Sequence, residues 1–255
     1  MISRPGGWAW QGGGVYRERA VVGIRGAVVW QSVAGGSAPT RVLPDGCLDL
    51  LWSSRAGLLV AGPDRAAHLS VSAPGECWIG LRLPPGVGPA VFGVPADELR
   101  DLRVPLAELW GRAAGELTAR VDAAREVPGR DPAAPVAAVL EAVAVARLRA
   151  GGGPDPLGAR VAARLAAGAT VAATAAEVGL GARALHRRSQ ALFGYGPKTL
   201  ARILRMRRAL DLARRGSPLA EVAARAGYAD QAHLTREVKE LAGVPPTHLL
   251  PYPRP

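Results

Sequence analysis

Two stretches of the chain, ARALHRRSQALF (182–193) and QAHLTREVKELA (231–242), place polar side chains with several hydrogen-bonding groups opposite an apolar stripe. At a helical 100° per residue, with Leu185 as the inward reference, Arg183, His186, Arg187 and Gln190 fall on the outward side. With Leu234 inward, Ala232, Thr235, Arg236 and Lys239 do the same. A guanidinium can grip guanine with two bonds, an amide suits adenine, and threonine offers a methyl beside a hydroxyl, which together are the chemistry of reading base edges in a major groove. Other chemistries lack their residues. His68 is the only histidine in residues 1–150, so a three-histidine metal site cannot be built there. Neither GxSxG, a P-loop nor GxGxxG occurs, and the expectation is no enzyme, no metal and no cofactor.

The elements that must position these side chains repeat. Leu185 and Leu234, Leu192 and Leu241, and Gly194 and Gly243 are each 49 residues apart, while Gly179 and Gly227 are 48 apart. In the first copy Val171, Ala175 and Val178 share a helical face, Gly179 breaks it, and Leu185, Ser189 and Leu192 form the next buried stripe. In the second, Leu219, Val222, Ala223 and Ala226 precede Gly227, and Leu234, Val238 and Leu241 follow. Each copy therefore reads as helix, tight turn, helix. Between them Lys198–Arg214 lacks Gly and Pro and predicts one helix of about 26 Å at about 1.5 Å per residue. Such a spacer sets two recognition helices in successive major grooves, roughly 34 Å apart. Lys198, Arg202, Arg205 and Arg208, with Arg207 and with Lys239 from the second unit, are candidates for backbone phosphates.

Residues 177–214 and 219–249, which include AGY, HLTRE and GVPP in the second unit, resemble the DNA-binding domain of the AraC/XylS transcription regulators. The resemblance implies two helix-turn-helix units on a shared helix, with Gln231 added to the base-reading group. It implies double-stranded DNA as partner, with RNA polymerase a further partner, in a bacterial cytoplasmic protein. Members usually carry an aromatic residue where this chain has Ser189 and Val238, which predicts looser packing of the first unit.

The rest of the chain reads as a separate unit. The 255 residues carry a net charge of +11, with 16 basic against 14 acidic residues in 1–150 and 16 against 7 in 151–255. The positive field belongs to the C-terminal part, as phosphate binding requires. β-prone runs at Val21–Gln31, Arg41–Leu43, Cys47–Trp52, Leu58–Ala61, His68–Val71 and Cys77–Leu83 predict a sandwich or small barrel, with a hairpin turn at 53–57. Leu106, Trp110, Ala113, Leu117 and Val121 mark one helical face, and Val136, Val139, Leu140 and Val143 another. The run 151–156 (GGGPDP) is the expected linker, dividing a β-rich domain with a helical tail (1–150) from a helical domain (157–255). Residues 1–14 read as a loose arm.

RVLPDGCLDLLW (41–52), AGP (61–63) and FGVPADELRD (92–101) resemble the cupin-like N-terminal domain attached to such regulators in actinobacteria. That resemblance implies a small-molecule effector, for which Cys47, Asp49, Trp52 and Trp78 are pocket candidates, or a homodimer interface. Cys47 and Cys77 lack disulfide or zinc spacing and are expected to be free thiols. An alternative is a regulator whose first domain is catalytic or carries a reactive cysteine. Neither a leader pattern nor a charge-free run of membrane length is found, so no membrane role is expected.

Overall fold

The computed structural model describes residues 15–126 and 131–250, and the arm expected over 1–14 lies outside them. Strands β1 (Val15–Ala20), β2 (Val28–Val33), β4 (Leu48–Ser53), β5 (Gly57–Ala61), β7 (Cys77–Leu83) and β8 (Arg103–Pro105) form one antiparallel sheet in the order β1-β2-β7-β4-β5-β8. Strands β3 (Thr40–Val42) and β6 (His68–Ser70) pair as a separate two-stranded sheet.

The two-residue period of a strand decides what each face does. In β7, Ile79, Leu81 and Leu83 are fully buried on one side, and β4 adds Leu48, Leu50 and Trp52 to the same layer. Helices α1 (Gly88–Phe92), α2 (Leu106–Trp110), α3 (Arg112–Arg125) and α4 (Ala133–Ala150) cover that face, contributing Phe92, Leu106, Leu117, Val136 and Leu140. The opposite face carries Asp49 and Leu51 from β4 and Trp78 and Arg82 from β7, which line a cavity with residues of the small sheet.

Two expectations need correction, and one strand was not foreseen. The run Val21–Gln31 is not one strand: residues 21–27 form a connection closed by Val21 N–H to Ala27 O (3.0 Å) and Ala27 N–H to Ile24 O (3.0 Å), with Gly26 at φ 80°. The first strand lies before it, its alternation masked by Arg17, Glu18 and Arg19. The single helical face from Leu106 is split at Gly111 (φ 51°, ψ −122°), so the phase slips by one residue and Ala114, not Ala113, is buried.

The C-terminal part is all helical: α5 (Pro156–Ala166), α6 (Val171–Glu177), α7 (Ala182–Phe193), α8 (Pro197–Arg214), α9 (Leu219–Ala226), α10 (Gln231–Ala242) and α11 (Pro246–Leu249). Helix α5 starts where the linker was expected to end: the Asp155 carboxylate accepts Leu157 N–H (2.9 Å) and Pro156 takes the first helical position. A second apolar core, with Val161, Leu185, Phe193, Ile203, Met206, Val222 and Leu234, binds these helices together. Leu43, from the loop after β3, belongs to this second core, so the two halves are packed against each other.

Leu140 is fully buried between α4 and the sheet. Leu140→Ala is expected to lower unfolding free energy by about 2–5 kcal/mol, read from urea denaturation at unchanged m-value.

Candidate nucleic-acid interface and enclosed cavity

Each recognition helix is launched by a tight turn. In the first unit Thr170 Oγ1 accepts Ala173 N–H (3.1 Å) to start α6, and Gly179 (φ 71°) reverses the chain into α7. In the second, Gly227 (φ 81°) ends α9 and the Asp230 carboxylate accepts His233 N–H (2.6 Å) to start α10. Leu185, Ser189 and Leu192, and Leu234, Val238 and Leu241, are buried. Arg183, His186, Arg187, Gln231, Ala232, Arg236 and Lys239 are exposed, and Gln190 and Thr235 are half-buried. Arg183, Arg187 and Arg236 have no carboxylate partner among the described residues, whereas Arg188 is ion-paired with Asp155. His186 lies over Gly196, where a Cβ would come within 2.6 Å of the imidazole. The smaller side chain at Ser189 does leave a mark, since its hydroxyl is buried with no hydrogen-bond partner.

The linking helix is held by a group that the outward-face analysis missed. Glu237, 8% exposed on the inward side of α10, accepts from Arg205 Nη2 at both carboxylate oxygens (2.7 Å each), from Arg205 Nε at 3.1 Å and from Arg202 Nε at 3.2 Å. The Arg205 guanidinium also stacks on Tyr228, 4.5 Å from the ring centre. Arg208 donates to Ala226 O (2.6 Å) and Ala166 O (3.1 Å), satisfying the carbonyl ends of α9 and α5. Three of the arginines offered above to DNA phosphates are therefore occupied inside the protein. The sequence signal for Glu237 was its spacing of four residues after His233. Lys198 and Lys239 stay exposed.

In the first half, β2, β4 and β7 build a polar centre. Gly80 has no side chain to obstruct the Trp30 indole, which a Cβ would meet at 2.2 Å, so the ring crosses β7 and its Nε1–H reaches Asp49 Oδ1 (2.9 Å) on β4. Arg82 Nε stands 3.3 Å from Asp45 and 3.5 Å from Asp49, and Asp45 also accepts Cys47 N–H (2.9 Å). Burial pushes the Asp45 carboxyl up, but Arg82 and Arg207 outweigh it and hold Asp45 below the usual range. Asp49 is left raised by its burial, only partly offset by Arg82. A cavity of about 130 Å³ opens on this centre, lined also by Tyr16, Trp30 and Trp78 and covered by Thr40, Val42, His68 and Ser70 of β3 and β6. Cys47, Asp49 and Trp78 line it; Trp52 does not, because it shares the core face of β4 with Leu48 and Leu50, under the Arg125 guanidinium at 4.8 Å. Tyr16, Trp30, Asp45 and Arg82 were missed, since only the strand pairing brings them together.

The cysteine alternative loses its chemical basis. Burial, then Asp45, pushes the Cys47 thiol well up, and burial raises Cys77 as well, the reverse of the setting that makes a thiolate. Among the described residues no three His, Cys, Asp or Glu side chains are grouped to hold a metal ion, and no helix is long and apolar enough to cross a membrane.

Residues 174–251 match the family described as a helix-turn-helix domain. The C-terminal unit is an AraC-type helix-turn-helix domain. The chain carrying it is a DNA-binding transcription regulator. Residues 27–105 of the regulator match a family described only as a domain of unknown function, which fits a cupin-like domain. No curated protein matches it. Among solved structures it is similar to the C-terminal domain of AraT, a response regulator from Geobacillus stearothermophilus, at 23% identity and a TM-score of 0.35, over 37% of this chain and 84% of that one. It is similar to a probable AraC family transcriptional regulator from Rhodopseudomonas palustris at 21% identity and 0.35, over 40% and 100%. ToxT from Vibrio cholerae aligns over 92% of this chain and 96% of its own at 10% identity and 0.46.

Removing the buried carboxylate leaves Arg205 without its carboxylate and Arg202 with Glu240 alone. Glu237→Ala is expected to destabilise the regulator by about 3–5 kcal/mol in urea unfolding, and Arg205→Ala to destabilise it as well.

Proposed function

We propose that the regulator reads double-stranded DNA with α7 and α10 in neighbouring major grooves, and that a small molecule in the cavity of the first half controls how it does so. On this reading residues 1–150 and 157–255, joined at 151–156, are the controlling and reading units. The observation that carries the first part is the pair of equivalent exposed faces, Arg183, His186, Arg187 and Gln190 on α7 and Gln231, Ala232, Thr235 and Arg236 on α10, whose arginines lack internal partners while neighbouring arginines have them. Evenly exposed, uncommitted guanidiniums suit base edges; Lys198 and Lys239 suit phosphates. Arg202, Arg205 and Arg208 instead fix the spacing between the two readers.

Ligand control is supported by where the cavity's cover goes next. Arg41 of β3 donates to Ala242 O (2.9 Å), and Ala67, just before β6, donates to Leu241 O (2.7 Å), so the small sheet over the cavity grips the C-terminal end of α10. Asp45, in the polar centre, also lies 3.8 Å from Arg207 of α8, which donates to its backbone carbonyl at 3.2 Å. Arg100 donates to Gly194 O (3.0 Å) at the end of α7. Occupancy of the cavity that moves β3 and β6 would thus bias both readers, as a shift between two populated arrangements.

Selection of duplexes from a random library by the full chain is expected to return a bipartite motif with halves about one helical turn apart. A single undivided half-site would overturn the two-groove reading. On the selected duplex, Arg187→Ala and Arg236→Ala should each weaken binding by about 1–3 kcal/mol and relax one base position. Lys239→Ala should weaken selected and scrambled duplexes alike and lower the salt slope by about 1. Fluorescence anisotropy across a salt series measures all three, and equal losses on both duplexes from the arginine variants would refute their assignment to bases.

A further inference from the structure

We propose that the cavity takes a small organic cation, an amine on a compact apolar or aromatic body, with Asp49 as its counter-ion and Trp30, Trp78 and Tyr16 as its walls. The inference rests on the reading of the cavity as an effector site and names the chemistry that site would select. Its size sets the first limit. About 130 Å³ is close to the cavity of about 150 Å³ that holds one benzene ring.

The charges set the sign. Two arginines line the cavity, and both are committed. Arg103 makes a two-pronged pair with Asp64 (2.6 and 2.5 Å), and Arg82 is shared between Asp45 and Asp49. Burial and the neighbouring Arg103 disfavour the protonated form of His68. Among the described residues an anionic ligand would therefore enter beside three aspartates with both lining arginines already paired. The carboxylates differ in how well they are matched. Asp64 has Arg103, and Asp45 has Arg82, Arg207 and the Cys47 amide. Asp49, half-buried at the cavity wall, has the Trp30 indole N–H and part of one guanidinium. An ammonium beside Asp49 supplies the missing charge, and the aromatic rings of Trp78 and Tyr16 on the lining suit its apolar body.

The test uses the full chain and three probes of one size: benzylamine, benzoate and benzyl alcohol, each followed by calorimetry and thermal shift. Benzylamine is expected to raise the melting temperature and to bind at least tenfold tighter than either of the others. Asp49→Asn should reduce its affinity at least tenfold. Ser70→Phe, which fills the cavity from the small sheet and leaves Asp49 in place, should abolish binding and covers the case in which the Asn variant does not fold. Tighter binding of benzoate or benzyl alcohol than of benzylamine would overturn the cation while leaving the cavity an effector site. Binding of none of the three would overturn the cation together with the effector reading, and amine binding that survives both substitutions would place it elsewhere and overturn the assignment.

Discussion

The relative setting of the two recognition helices depends on one buried carboxylate. Glu237 sits where α10 crosses α8, and the two arginines that meet it come from one face of α8, at positions three apart. An enclosed carboxylate without partners is severely unfavourable, so the helices are held in the arrangement that brings both guanidiniums to it. The second unit is thereby tied to the connecting helix by charge as well as by the apolar core that both units share, with Phe193 from the first, Leu200 and Ile203 from α8 and Val222 and Leu234 from the second. Arg208, bonded to the last carbonyls of α5 and α9, fixes the same helix from a third direction. DNA reading follows from this rigidity: two weakly specific faces become one specific surface only when their separation is constant.

Charge does similar work at the junction of the halves. Asp45 lies between Arg82 of the sheet and Arg207 of α8, and its backbone carbonyl takes a bond from Arg207 as well. The glycines that end the two recognition helices, Gly194 (φ 83°) and Gly243 (φ 75°), both abut the first half. A Cβ at Gly194 would come within 2.4 Å of Pro63, and one at Gly243 within 2.8 Å of Arg41. The internal repeat is thus recognised twice by the same partner surface, at equivalent corners.

What was legible in the sequence follows the range of the interactions involved. Periodicity at three to four residues exposed the helix pairs, their buried stripes at Leu185 and Leu234 and their outward faces, because a helix makes its own backbone bonds and its pattern is local. The strand Cys77–Leu83 was legible to the residue, since its core face alternates without interruption. The strand Val15–Ala20 was hidden by charged residues on an edge. The polar centre was not legible at all: Trp30, Asp49 and Arg82 are far apart in sequence and meet only through strand register. The internal partners of Arg202, Arg205 and Arg208 were hidden for a related reason, as an arginine facing a buried carboxylate and one facing water look alike until the neighbouring helix is placed.

The floor of the cavity owes its form to an absent atom. Because Gly80 carries nothing, one indole spans three strands and serves as wall, hydrogen-bond donor and spacer together. The volume of the cavity is therefore set in part at a residue that does not line it. A single methyl there would displace the indole from Asp49 and reshape the open volume. The cavity of this sheet thus has a one-residue route to change that leaves α7 and α10 untouched.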